Sequence, residues 1–213
     1  ALALFPYASL FRSSYVVFGK ASGFSATMGL SGLDGTNGFR LDGEVRYDNS
    51  GFSISTAGDV NGDGFDDVIV GAPRADQNGY GTGSSYVVFG KASGFSATVD
   101  LSSLDGTNDF RLDGRENDSS GDSVRTAGDV NGDGFDDVII GAPWANPNSY
   151  DSGSSYVVFG KASGFSATVD LSSLDGTTGF RLDVEVNDST HDISFNNAGD
   201  VNGDGFDDVI VGV

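Results

Sequence analysis

The sequence predicts an all-β protein built from one repeated four-stranded antiparallel sheet. Three observations lead to it. Tyr-Val-Val-Phe-Gly-Lys recurs at positions 15, 86 and 156, and an acidic stretch beginning Asp-Val-Asn-Gly-Asp-Gly recurs at 59, 129 and 200, so the chain repeats about every 70 residues. Gly, Ser, Thr, Val, Ile and Phe dominate, and no helical apolar period holds over three turns. Each repeat also divides into four short segments joined by turns, the pattern of an up-and-down sheet.

Within one repeat the strands follow in order. Ser53 to Val60 alternates small and apolar residues and leads into the acidic stretch, and Asp67 to Gly71 is the apolar run leaving it. Val68, Ile69 and Val70 read as buried strand. Gly71-Ala72-Pro73 ends that strand, and a polar loop from Arg74 to Ser84 returns the chain to a third strand, Ser85 to Gly90. A long connection, Lys91 to Asn108, reaches the fourth, Phe110 to Asp113.

The acidic stretch carries the chemistry. Asp59, Asn61, Asp63 and Asp67 occupy positions 1, 3, 5 and 9 of a tight loop, with Gly64 at position 6 and the carbonyl of Phe65 at position 7. Asp129, Asn131, Asp133, Phe135 and Asp137 repeat the set, and so do Asp200, Asn202, Asp204, Phe206 and Asp208. This is the ligand order of an EF-hand-like calcium loop cut to nine residues. Calcium takes roughly six to eight oxygens in an irregular shell, and alternate residues all face one ion only where a glycine lets the chain curl. Magnesium prefers a small octahedral shell, and zinc is disfavoured by the absence of cysteine and the presence of one histidine. A plain turn with solvated aspartates explains a single copy; three copies favour about three Ca2+ per chain.

Composition excludes several partners. The 213 residues hold 31 acidic and 11 basic side chains, a net charge of −20, which repels nucleic acid and anionic membranes. Twelve of those acids lie in the three loops. Without cysteine there is no disulfide framework, so bound ions become candidate staples. No stretch approaches the roughly 20 apolar residues of a membrane-spanning helix, so membrane insertion is not expected. Ala1 to Leu10 lacks the charged and small-residue features of a signal peptide, and a start without methionine reads as a mature or excised fragment.

Asp59 to Pro73, and its copy from 129 to 143, resemble the FG-GAP repeats of the integrin α-subunit β-propeller and its bacterial calcium-binding relatives. The resemblance runs from Ser13 to Gly212. It implies a β-propeller of four-stranded antiparallel blades, with the calcium loop joining the first and second strands of each blade. The chain departs from the family at Gly51-Phe52, Gly121-Asp122 and Asp192-Ile193, where a Phe-Gly pair is expected, and at the one-residue insertion in His191 to Asn197. Residues 1–12 match nothing in the repeat.

Blades then fall at 53–113 and 123–183, with half-blades at 13–42 and 194–213, about three blades per chain. Propellers close with about four to eight blades, so one chain is too few. The complementary halves predict a homodimer of six blades in which the C-terminal strands of one copy complete the N-terminal half-blade of the other.

The resemblance places the loops between strands two and three, and those between blades, on one face: Arg74 to Ser84, Trp144 to Ser152, Glu44 to Ser50, Arg115 to Ser120 and Glu185 to His191. Trp144, Tyr80 and Tyr150 are candidates for stacking on a glycan or protein ligand. Asp118, Asp188 and His191 are the weak catalytic candidates, as a carboxylate pair of the glycosidase kind or a lone histidine. No Gly-x-Ser-x-Gly or His-Glu-x-x-His motif accompanies them. Three readings stand: a calcium-stabilised adhesion or recognition module secreted to a bacterial cell surface, an extracellular glycoside or ester hydrolase, and a purely structural repeat of a large surface protein.

Overall fold

The computed structural model describes residues 13–147, 152–184 and 193–212. Its described strands form four sheets, antiparallel but for one short parallel edge strand in two of them, each a blade or part of one, together a partial β-propeller of about three blades; among the described residues the only helices are two short 3-10 turns. The N-terminal half-blade pairs β1 (Ser13–Val17) with β2 (Gly38–Asp42). The first whole blade runs β3 (Ser53–Gly58), β4 (Asp67–Ala72), β5 (Ser84–Val88) and β7 (Asp109–Asp113), each antiparallel to the next. A three-residue strand, β6 (Thr98–Asp100), lies in its long connection. The second blade repeats this with β8 (Ser123–Gly128), β9 (Asp137–Ala142), β10 (Ser154–Val158), β11 (Thr168–Asp170) and β12 (Gly179–Asp183). A final hairpin joins β13 (Ser194–Gly199) to β14 (Asp208–Gly212).

Four strands per blade is incomplete in one respect. The long connection, expected to be plain linker, contributes a fifth strand to the blade before it: β6 pairs in parallel with β2, and β11 with β7. Arg111 N–H donates to Ala167 O at 2.9 Å, and Leu101 N–H to Asp42 O at 3.0 Å. The outer edges of β2 and β7 are thereby covered, which removes an unpaired ladder there. Thr-Val-Asp is too short to carry a readable alternation, so the sequence hid it.

The cores lie between blades. Ile69 and Val87 join Ala57, Val124, Val138, Ile140 and Tyr156 in the core between the two whole blades. Their neighbours Val70, Tyr86 and Val88 face the other way and meet Phe39, Leu41 and Leu101 of the N-terminal side. Ala127, Ile139 and Val157 meet Phe195 on the C-terminal side. Successive strand residues point to opposite faces, and in a blade both faces are covered, so Val-Ile-Val and Tyr-Val-Val are apolar runs without polar alternation. A second seal is aromatic: Phe39 stacks on Phe95 with centroids 4.6 Å apart, and Phe110 on Phe165 at the same spacing.

Charged latches close the other end of the blades. The Arg111 guanidinium forks onto Asp113 at 2.7 and 3.0 Å and reaches Glu44 at 3.0 Å, while Ser84 Oγ donates to the same Asp113. Arg40 with Asp42 and Arg181 with Asp183 repeat the pair in the outer copies.

Candidate metal centre

Each acidic loop is the hairpin connection between the first two strands of its blade. In the first whole blade the ladder slips between Thr56 and Gly58, whose φ of 77° turns the chain outward ahead of Asp59. Thr56 Oγ1 accepts the Gly58 N–H at 3.2 Å and fixes that slip.

The loop then folds on its own side-chain oxygens. Asp59 Oδ1 accepts from Asp63 N–H at 3.0 Å, and its Oδ2 from Gly64 N–H at 2.8 Å. Asn61 Oδ1 accepts the same Asp63 N–H at 2.9 Å, and Asn61 Nδ2 donates to Asp63 Oδ2 at 3.2 Å. Asp63 Oδ1 takes Phe65 N–H at 3.0 Å. Gly62 and Gly64, at φ 71° and 87°, supply the left-handed turns. The second loop repeats every one of these bonds through Asp129, Asn131 and Asp133. In the third, Asp200 and Asn202 take the N–H groups of Asp204 and Gly205, and Asp204 takes that of Phe206.

The acid at position 9 sits apart from this exposed turn. Asp67 is buried at the start of β4; its Oδ2 accepts Val60 N–H at 2.9 Å and its Oδ1 accepts Gly90 N–H, beyond the third strand, at 2.8 Å. Asp137 does the same with Val130 and Gly160. Burial pushes both carboxyls up to about 7, against the opposing pull of those two N–H donors. Asp208 keeps the Val201 N–H bond, at 2.8 Å.

The donors in each loop are oxygens only, alternate along the chain and curl over two glycines, a set that suits a hard cation such as calcium. In the first loop each oxygen of Asp59 accepts one N–H and retains a second lone pair, whereas Asp129 Oδ1 accepts from both Gly132 and Asp133, and Asp200 Oδ1 from both Gly203 and Asp204. Among the described residues, however, no three Asp, Glu, His or Cys side chains converge as a ready-made metal cluster.

One functional acid escaped the sequence reading. Position 8 entered it only as charge, yet Asp136 Oδ2 accepts the Asp59 N–H of the preceding loop at 2.8 Å, and Asp136 N–H returns a bond to Asp59 O at 3.2 Å. Asp207 makes both bonds to Asp129. Lys161 N–H adds a bond to Val60 O at 2.9 Å. The loops are therefore coupled from blade to blade; the Asp-Asp doublet was the available signal, and its partner lies 77 or 78 residues away.

On the opposite face Asp118 is buried, and its Oδ2 accepts the Tyr156 hydroxyl at 3.2 Å, so it latches a blade and does not line an open site. Burial raises its pKa. Tyr80 is exposed, and Trp144 is partly so, its N–H on Asp118 O. Loop 74–84 and the inter-blade loop 114–120 lie together, joined by the bonds from Asn117 N–H to Tyr80 O and from Ser119 N–H to Gly81 O. Asp188, His191 and Tyr150 fall outside the described residues.

Comparison with known proteins agrees with this architecture. A family model described as FG-GAP repeat matches residues 50–88 and 120–158, the first three strands and acidic loop of each whole blade. Integrin alpha-6 of Homo sapiens is 29% identical over 125 residues, covering 58% of this chain and 10% of that protein. Integrin alpha-7 of Homo sapiens is 35% identical over 104 residues, 49% of this chain and 8% of its own length. Integrin alpha-IIb of Mus musculus is 32% identical over 132 residues, 60% of this chain and 12% of its own. The chain thus spans about a tenth of the length of these relatives.

Proposed function

This chain carries FG-GAP repeats related to those of integrin α subunits, and on that premise we propose that it is a propeller module for extracellular adhesion or recognition whose three acidic loops hold structural calcium. The observation carrying the reading is the bonding of Asp59, Asn61 and Asp63, repeated around Asp129 and Asp200. Three segments about 70 residues apart form the same turn on the same oxygens. Adhesion and a surface location follow from the kinship with integrin α subunits together with the net charge of −20, which suits a solubility-selected exterior protein. Among the described residues no helix is long and apolar enough to cross a membrane.

Calcium here neutralises the first turn of each blade, and its binding energy adds to folding stability. The face opposite, where loop 74–84 meets loop 114–120, is where a glycan or protein ligand is expected. The hydrolase reading loses its best-placed acid, because Asp118 is buried under Tyr156.

A calcium titration followed by calorimetry and thermal melting tests the assignment. Binding of about three ions per chain and a rise in melting temperature reversed by EGTA are expected. At a calcium concentration 100 times the Kd, each site adds about 2.7 kcal/mol. A melting curve indifferent to both calcium and EGTA overturns it.

A further inference from the structure

We propose that the joint between the two whole blades carries a binding site for an uncharged glycan, built from Tyr80, Trp144 and the side chains of Arg115, Glu116 and Asn117. This deepens the recognition reading above and rests on it, but not on the calcium assignment.

The repeats share a backbone here and differ in what they display. Ala57 to Val68 is identical in sequence to Ala127 to Val138, and Tyr86 to Thr98 is identical to Tyr156 to Thr168. The inter-blade loops 46–50 and 116–120 also share a conformation. Tyr47 and Asn117 have φ of 83° and 67°, and Asn49 and Ser119 have 58° and 50°; among the described residues no other non-glycine residue has a positive φ. Arg74 N–H donates to Asp48 O at 3.1 Å, as Trp144 N–H does to Asp118 O at 3.3 Å. Yet Arg46 and Tyr47 stand where the next repeat has Glu116 and Asn117, and Arg74 stands where it has Trp144. A costly backbone kept at equivalent places, with its exposed side chains exchanged, is a fixed mount for variable contacts.

At the joint itself two aromatic residues flank loop 114–120. Tyr80, from the blade before, is 77% exposed, and its carbonyl accepts the Asn117 N–H at 3.1 Å. Trp144, from the blade after, is 43% exposed. Glu116 lies over the glycine that precedes Tyr80: a Cβ on Gly79 would stand 3.4 Å from Glu116 Cγ. Arg115, Glu116 and Asn117 are all exposed, and their side chains make no hydrogen bond or ion pair among the described residues. Loop 74–84, by contrast, uses other polar groups to hold itself: Asp76 accepts the Gly81 N–H, and Thr82 Oγ1 donates to Ala75 O.

This combination fits a sugar. An exposed aromatic ring stacks on the apolar face of a pyranose, and Arg, Glu and Asn each present a planar pair of hydrogen-bonding atoms to neighbouring hydroxyls. Arg115 and Glu116 cancel in charge, so the patch favours a neutral ligand, while the net charge of −20 repels acidic polysaccharides.

Affinity electrophoresis of the full chain tests the assignment, since its charge carries it through native gels. Gels containing galactomannan, xyloglucan or dextran supply neutral glycans, gels containing gelatin supply polypeptide, and a gel with neither gives the reference mobility. Retardation by at least one of the polysaccharides is expected. Tyr80→Ala should weaken that binding about tenfold. Tyr80→Phe, which keeps the ring, should retain most of it, and Glu116→Ala should reduce it. Both positions are exposed, so the melting temperature and β circular dichroism of these variants should match the parent chain. Retardation that survives both Tyr80→Ala and Glu116→Ala, or no retardation by any of the polysaccharides, overturns the proposal. Retardation by gelatin alone overturns the glycan and leaves the recognition reading standing.

Discussion

Asp136 Oδ2 lies 2.8 Å from the backbone nitrogen of Asp59, in the loop one blade earlier, and the two residues exchange a second bond in return. An acid at position 8 of one loop thus orders position 1 of another. The bond is charge-assisted but partly solvated, so Asp136→Ala should cost about 1–2 kcal/mol of unfolding free energy, read from urea titration. Calcium affinity should fall in the loop at Asp59 more than in the loop at Asp133. A uniform or absent effect would show that the loops act independently.

Gly62 and Gly64 share a left-handed backbone but differ in surroundings. A Cβ on Gly62 would lie 2.3 Å from Cε1 of Phe135 in the next loop, while one on Gly64 meets nothing within 4 Å. Gly64→Ala should therefore cost only the backbone strain, about 1–2 kcal/mol. Gly62→Ala should cost more, since the Phe135 ring must also move. Melting of the two variants side by side checks the order; the reverse order would contradict the placement of Phe135.

Much of this was legible in the sequence. The period of about 70 residues and the apolar runs gave the strand order, and the ligand spacing located the turns. What was not legible is contact across repeats. The parallel pairing of β6 and β11, the role of Asp136, and the burial of Asp118 all depend on a neighbouring blade placed by tertiary packing. Local pattern carries the turn of a chain, whereas a side chain's partner 38 or 77 residues away leaves no local trace. The third strand shows the same limit: the sequence reading begins it at Ser85, while β5 begins at Ser84, whose hydroxyl bonds Asp113.

Calcium binding should release protons. Asp67 and Asp137 lie near pKa 7 in the metal-free chain, so at pH 7 each is about half protonated, and a cation that needs the carboxylate expels about one proton from the pair. At pH 9 the release should vanish. The same shift means the metal-free fold binds more protons than the unfolded chain between about pH 4 and 7, so its stability falls as pH rises through that window. Pairing calorimetry in buffers of different ionisation enthalpy with pH-dependent urea unfolding measures both. Equal release at pH 7 and 9 would remove Asp67 and Asp137 from the linkage.

Asp48 and Asp118 hold equivalent positions but different company. Tyr156 donates to Asp118, whereas Tyr86 donates to Glu44, which follows Leu-Asp-Gly where the next repeat has Arg115. Asp48 is left with the Val45 N–H at 3.2 Å, and burial raises its pKa to about 6. A folded-state value above the ordinary 3.8 means the folded chain holds the extra proton between those limits, and the cost of the buried charge is complete above pH 6. Asn at this position keeps an oxygen for Val45 and carries no charge. Asp48→Asn should therefore raise stability at pH 7, leave it nearly unchanged at pH 3.5, and flatten the profile between. Urea midpoints at the two pH values decide it: a loss at pH 7 would mean that the Asp48 carboxylate is held by favourable contacts that outweigh its burial.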